Sequence, residues 1–331
     1  YHHSRHIYLT SRTLEDRLAL LPPTSRLASL RQLISAPFRP SEEQMLDGFK
    51  CARGQIHSAH PRVFKEQPRR LMRVFLYAQQ RGLKIHPELA QSIRQELKLV
   101  DRQFLRDEHA RETFLEILSQ RGNVSPILRA MHEVGLLGKY LPEFGKLTCL
   151  VQHEFYHQYA ADEHTLMCVE KLDQLWGTTT TALHKYAELL QSLERPLILY
   201  LALLLHDTGK PLHTGKHAAA GREISLRVAR RLDLDGATAH GLQLLVEHHL
   251  TMAMISQRRD LDDPVVIRKF VNQVQTLENL RMLTLLTVAD TLGTSKQMWT
   301  EFKDTLLWSL YTKAQQQLTG GPEFLRAEEK Q

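Results

Sequence analysis

The sequence holds only three cysteines, Cys51, Cys149 and Cys168, widely spaced and without a CxxC pair. A disulfide framework and a cysteine-built zinc finger are therefore not expected, and a reducing cytoplasm fits. Long apolar runs are missing too. The longest, Leu197 to Leu205, falls far short of the ~20 residues that cross a bilayer. The N-terminus, Tyr1-His-His-Ser-Arg5, has no apolar segment of the kind a signal peptide needs. It also has no initiator Met, so the chain is expected to be excised from something longer. Lys/Arg runs of the length of a nucleic-acid arm are lacking: Arg69-Arg70 and Arg258-Arg259 are only pairs. The net charge of +6 admits an anionic partner such as a nucleotide or phosphate, or simply a solvated basic surface. Nucleic acid and membrane are not expected partners.

Strand-like alternation is hard to find, and Gly and Pro are sparse, so the fold class expected is all-α. Helix starts recur. Ser41-Glu-Glu-Gln44 reads as a capping box before Met45 and Leu46. Ser125-Pro126 reads as N-cap and first helical residue before Ile127, Leu128, Met131 and Val134. Asp263-Pro264 does the same before Val265, Val266 and Ile267. Residues 1–40 read as the trailing end of a missing domain, 41–145 as a helical connector, 146–318 as a second helical unit, and 319–331, opened by Thr319-Gly-Gly-Pro322, as a linker.

Histidine carries more information. Ten of the eighteen lie between His153 and His249. The central feature is Pro196-Leu-Ile-Leu-Tyr-Leu-Ala-Leu-Leu-Leu-His206-Asp207-Thr-Gly209-Lys210, a strongly apolar helix that ends in an imidazole, a carboxylate and a lysine. Such a helix must be buried nearly all round, so its polar end opens at the floor of a site. Neighbouring residues of a regular helix point about 100° apart. His206 and Asp207 can share one ion only where the helix loosens, and Gly209 supplies that. A second apolar helix, Met282 to Ala289, brings Asp290 near its end, and a buried carboxylate without a partner is costly enough to call for a cation. A third segment, Asp162-Glu-His164-Thr-Leu-Met-Cys-Val-Glu170, adds an imidazole. Two imidazoles and two carboxylates suit a divalent Mn²⁺, Mg²⁺, Fe²⁺ or Zn²⁺ more than a thiophilic ion. A cation held there would polarise a phosphoryl oxygen and lower the pKa of water. Each piece alone is weak, since a His-Asp pair at a helix end is commonly just a cap; the ordered set is what points to a metal site.

These residues resemble the HD superfamily of metal-dependent phosphohydrolases, and most closely the family of bifunctional uridylyltransferase/uridylyl-removing enzymes that act on the PII signalling protein in nitrogen regulation. Gln152-His153-Glu-Phe-Tyr-His157 through His164-Thr-Leu166, Leu204-Leu-His206-Asp207-Thr-Gly-Lys210, Val246-Glu-His248-His249-Leu-Thr-Met252, Ser256-Gln-Arg258-Arg259-Asp260, and Leu286-Thr-Val-Ala-Asp290-Thr with Trp299 and Lys303 carry the likeness. Upstream, Met131 to Gly145 is similar to the family's helical connector. The resemblance spans about Leu99 to Leu318. It implies an HD-domain helical bundle with one or two divalent ions, ligated by His164, His206, Asp207 and Asp290. A second ion would fall to His217, His248 and His249. Lys210 would neutralise a phosphoryl oxygen, and Arg258 and Arg259 would grip phosphate or nucleotide. His153 and His157 stand where the family has pocket histidines. The activity implied is hydrolysis of the uridylyl-tyrosine phosphodiester on PII, releasing UMP.

The sequence departs from the family in three places. The stretch before His217 lacks the familiar Gly-Gly-Asp. Leu292-Gly293 stands where many relatives carry Arg-Ala. A Gly-Ser turn with paired aspartates, the nucleotidyltransferase signature, does not occur, so this chain alone is not expected to add UMP. The rival readings are an HD phosphodiesterase or nucleotidase acting on a free nucleotide or second messenger, and a non-catalytic module, either a degenerate HD scaffold or a basic surface that binds nucleic acid.

Overall fold

A computed structural model describes residues 43–151, 160–212 and 217–320. They form two compact units, Tyr1–Phe114 with Arg129–Tyr140, and Leu115–Leu128 with Leu141–Gln331, as far as each is described. In chain order the elements are β1 (Gln44–Leu46), β2 (Phe49–Ala52), β3 (Gln55–Ser58), α1 (Val63–Glu66), α2 (Arg70–Arg81), β4 (Lys84–Ile85), α3 (Pro87–Glu96), α4 (Glu108–Ser119), α5 (Ser125–Glu133), α6 (Leu136–Tyr140), α7 (Pro142–Gly145), α8 (Ala161–Trp176), α9 (Thr181–Gln191), α10 (Pro196–Leu205), α11 (His217–Arg231), α12 (Gly236–His248), α13 (Thr251–Arg258), α14 (Pro264–Val274), α15 (Leu277–Thr294) and α16 (Glu301–Thr319). The chain is predominantly helical, as expected, with one small sheet. No helix among the described residues is long and apolar enough to cross a membrane.

The sheet corrects one expectation. Gln44 to Leu46, read as the start of a helix after a Ser41 capping box, is strand β1; Ser41 itself lies outside the described residues. The sheet runs β1-β2-β3-β4, with β1/β2 and β2/β3 antiparallel and β3/β4 parallel. Two two-residue turns set it. Asp47-Gly48 (φ 49° and 82°) and Arg53-Gly54 (φ 52° and 74°) both hold positive φ, the backbone whose twist suits a tight hairpin. Period-two burial follows: Phe49 and Cys51 point inward, while Lys50 and Ala52 are half-buried. Asp47 then ties the first turn to α2, its carboxylate lying 3.1 Å from Arg70 Nε, 2.8 Å from Arg73 Nη2 and 3.2 Å from the Tyr77 hydroxyl. Phe49 packs on Phe64 and Tyr77 to close this small core.

The second unit is a helical bundle. α8 lies along α15, and α10 packs against α8, α12 and α15. α10 is apolar all round because it is enclosed all round: Leu199 to Leu205 are each 0% exposed. Pro196 sits in its first turn, where a missing N–H costs nothing. Asp173 of α8 fixes the neighbourhood of this helix. One carboxylate oxygen accepts from the Val124 and Ser125 amides at 2.8 and 2.6 Å, at the start of α5. The other accepts from the Tyr200 hydroxyl of α10 at 2.5 Å. Trp176 Nε1 donates to the same hydroxyl at 2.9 Å. The Asp263-Pro264 start holds as expected, with Asp263 accepting from Val265 N at 2.8 Å.

Candidate metal centre

Three helices deliver the site. His164 stands in the first turn of α8, so its ring projects beyond the helix body toward the end of α10. α10 stops at Leu205, and the turn through Gly209 that follows lets His206 and Asp207 face the same place, although they are adjacent in sequence. Asp290 comes from the last turn and a half of α15.

The four side chains converge. His164 Nε2 lies 3.0 Å from Asp290 Oδ1 and 3.9 Å from Asp207 Oδ2. His206 Nε2 lies 3.3 Å from Asp207 Oδ2 and 3.8 Å from Asp290 Oδ1. Lys210 Nζ reaches back to Asp207 Oδ2 at 2.6 Å. His164, His206 and Asp207 are all buried. His206 Nδ1 donates to the Leu203 carbonyl at 2.7 Å, which turns Nε2 toward the carboxylates. That Nε2 is buried and makes no hydrogen bond among the described residues. A buried ring nitrogen aimed at two carboxylates, with no hydrogen bond of its own, is what a ligand set presents to a cation that displaces its proton, so the residues fit the metal that the sequence implied.

The electrostatics agree. Burial opposes ionisation of Asp290, but the His164 hydrogen bond and the His206 charge win and bring its pKa down to about 2. Burial likewise works against Asp207, yet His206 first, then Lys210 and His249, hold it well below the ordinary carboxylate range. Burial would lower His206, but Asp207 and then Asp290 push it up to about 9. Two ionised carboxylates, balanced here by Lys210 and by the His206 ring, make a floor in which a cation can replace the His206 proton.

Of the other residues expected at the site, His249 comes closest. Its Nε2 lies 3.9 Å from Asp207 Oδ1, its Nδ1 meets the Val246 carbonyl at 2.7 Å, and burial, with His206 adding, lowers its pKa to about 4. His248 turns to Thr251 Oγ1 at 3.3 Å, and burial lowers its pKa. The His217 side chain, His153 and His157 lie outside the described residues. Arg258 and Arg259 are exposed at the end of α13 and make no ion pair among the described residues, and neither Asp260 nor Asp262 takes them up. Asp262 pairs instead with Lys313.

The sequence reasoning missed Cys168. One turn after His164 on α8, it is fully buried, with Sγ 3.6 Å from His164 Nε2, 3.7 Å from Nδ1 and 4.0 Å from Asp290 Oδ1. His164, Cys168, His206 and Asp290 each offer a donor atom, and these four atoms all lie within 4.8 Å of one another. Burial, and then the Asp290 and Asp207 charges, push the thiol pKa well above its usual value. The four-residue spacing to His164 was the available signal. Gly293 of α15 makes the room: a Cβ there would sit 2.5 Å from Cys168 Sγ and 3.0 Å from the Cys168 Cα and N.

Comparison with known proteins fits this geometry. Residues 162–293 match the HD domain family, and residues 49–140 match the third domain of uridylyltransferase GlnD. The chain is 36% identical over 282 residues to a bifunctional uridylyltransferase/uridylyl-removing enzyme of Ruegeria pomeroyi, which covers 85% of this chain and 31% of the relative. It is 34% identical over 320 residues to the enzyme of the same description from Rhodopseudomonas palustris, covering 95% of this chain and 34% of the relative. The chain thus spans about a third of the length of these curated relatives.

Proposed function

We propose, of a chain that joins an HD domain to a GlnD third domain, that it is a metal-dependent phosphodiester hydrolase and that its substrate is the uridylylated tyrosine of PII, from which it releases UMP. The observation that carries this reading is the convergence of His164, His206, Asp207 and Asp290 from three helices, with distances of 3.0 to 3.9 Å between imidazole nitrogens and carboxylate oxygens. The uridylyl-removing activity in the relatives' names supports the choice of substrate.

His164, His206, Asp207 and Asp290 would hold a divalent cation, the nitrogen and oxygen donors alone leaving Mn²⁺, Mg²⁺, Fe²⁺ and Zn²⁺ open. When bound, that cation supplies Lewis acidity toward a phosphoryl oxygen and makes water a better nucleophile near neutral pH. The rest is the work of the chain. The Leu203 carbonyl keeps the His206 ring in the tautomer that presents Nε2. Lys210 holds Asp207 in place and sets a positive charge beside the reacting phosphate, where it offsets charge that grows on the phosphoryl oxygens. The closed apolar wall of α10 keeps bulk water from the floor, so these charges act at low dielectric. His249, with His217 and His248, would serve a second ion, and Arg258 and Arg259 would meet the nucleotide or the partner protein from the exposed end of α13. Three free cysteines support placing the reaction in the cytoplasm.

The test is UMP release from uridylylated PII by the purified chain, with and without Mn²⁺, beside free dinucleotides and cyclic dinucleotides as rival substrates. Metal-dependent release from PII alone is the expected result. Turnover of the free nucleotides without release from PII would assign the site to a second-messenger phosphodiesterase instead.

A further inference from the structure

The ligand set read from the sequence is made of nitrogen and oxygen only, and it leaves the choice among divalent ions open. The thiol of Cys168 changes that chemistry. A tetrahedral site with sulfur about 2.3 Å and nitrogen about 2.0 Å from the ion separates those two donors by roughly 3.5 Å. Cys168 Sγ lies 3.6 Å from His164 Nε2. Asp290 Oδ1 lies 3.0 Å from that nitrogen and 4.0 Å from the sulfur, and His206 Nε2 lies 3.8 Å from Asp290 Oδ1. Sγ is also 3.7 Å from His164 Nδ1, so the sulfur sits over the ring face and the ring must turn to share an ion with it; the four donor atoms all lie within 4.8 Å of one another. The independent sign of a ligand is His206 Nε2, on a residue 1% exposed, which points into the same cluster without a hydrogen-bond partner among the described residues. The cluster sits at the crossing of α8 and α15, where the missing Cβ of Gly293 lets the thiol fit between the two helices.

We propose that Cys168 adds a sulfur donor to His164, His206 and Asp290, so that this centre selects a thiophilic divalent cation, Zn²⁺ or Fe²⁺, over Mg²⁺. Soft thiolate ligands favour such ions, while Mg²⁺ takes oxygen donors and keeps its waters. Ligation exchanges the S–H bond for a sulfur–metal bond, and the thiol proton leaves to solvent. The inference rests on the metal-centre reading but not on the identity of the substrate.

The test needs no substrate. The full 331-residue chain is stripped of metal with a chelator and titrated with Co²⁺. A thiolate-to-cobalt charge-transfer band in the near ultraviolet is expected, retained in a Cys51→Ser/Cys149→Ser double variant and lost in Cys168→Ser and Cys168→Ala. Competition with a chromophoric chelator should show Zn²⁺ affinity falling about tenfold or more in Cys168→Ser, with Mg²⁺ affinity unmoved. Co²⁺ bound without the band overturns the sulfur ligand and leaves the metal centre standing. Equal loss of Zn²⁺ and Mg²⁺ affinity also overturns it, because that is what a packing role would give. A wild-type chain that binds no divalent ion overturns both readings. Should the Cys168 variants fail to fold, the band in the wild type and in the double variant decides the matter alone.

Discussion

Lys210 Nζ lies 2.6 Å from Asp207 Oδ2, across the three-residue turn that closes the apolar helix, and this pair fixes the carboxylate that also faces His206 and His164. On the proposed mechanism the lysine would serve Asp207 and the reacting phosphate from one position. Asp207→Ala is expected to lower metal-dependent hydrolysis by about 10²- to 10³-fold or more, with the far-ultraviolet circular dichroism of the helices retained. Lys210→Met is expected to lower kcat by about 10²-fold while the metal content stays near that of the wild type. Full turnover in Asp207→Ala would remove this carboxylate from the mechanism.

Metal affinity should depend on pH in one direction. His206, raised to about 9, carries a proton at neutral pH, and Nε2 must lose it to ligate. Affinity is therefore expected to rise by about tenfold or more per pH unit through the neutral range, more steeply where the Cys168 thiol also gives up its proton. Isothermal titration in buffers of different ionisation enthalpy would count the proton released. A flat affinity from about pH 6 to 8 would mean that His206 is not a ligand.

The first unit carries a carboxylate whose effect can be read apart from any metal. Asp107 accepts from Arg69 Nε and from the Ala110 amide, each at 2.9 Å, ahead of α4. Burial pushes its pKa up, but the Arg69 hydrogen bond and then the amide outweigh this and leave it lowered. A carboxyl whose folded pKa is depressed stabilises above its unfolded pKa and loses that effect as pH falls through the folded value. Asp107→Asn should cost about 1 to 2 kcal/mol at neutral pH, and its urea midpoint should approach that of the wild type in acid. An equal gap at both pH values would assign the cost to something other than the charge.

Gly293→Ala sets two opposing effects against each other. Alanine gains about 0.8 to 1 kcal/mol of helix propensity. The added Cβ meets Cys168 Sγ at 2.5 Å and Cys168 backbone at 3.0 Å, and overpacking of that kind costs about 1 to 3 kcal/mol. A net fall in Tm is expected. Cys168→Ala in the same chain should recover only part of it, because the backbone contacts remain. A raised Tm would show that α8 and α15 can separate freely at this point.

Much of the second unit was legible because its pattern is extreme. An apolar run that ends in His206-Asp207 and a second that ends near Asp290 say what is buried and what is left polar at the floor, and the structure places these side chains 3.3 to 3.8 Å apart. Cys168 was not legible as part of the centre, because a cysteine inside an apolar stretch reads as core until its neighbour one turn away is placed. The resemblance offered both members of the histidine pair for a second ion, and it is His249 that lies beside Asp207. Which of two adjacent residues faces a site depends on where a helix ends, and the helix before them stops at His248. The small sheet was missed for a different reason. Asp47-Gly48 is a strong hairpin signal, but strands of three or four residues offer little alternation to read, and acidic Glu42 and Glu43 beside Ser41 imitate a helix start.

Leu199 to Leu205 have no surface of their own, and their amide protons lie in the deepest part of the bundle. Their hydrogen exchange should therefore proceed only through opening of the whole second unit, with protection close to its global unfolding free energy. His206 and Asp207 are tethered to that slowest-exchanging segment, so these two side chains should keep their places on the timescale of unfolding while ions and substrate exchange past the partly exposed Asp290.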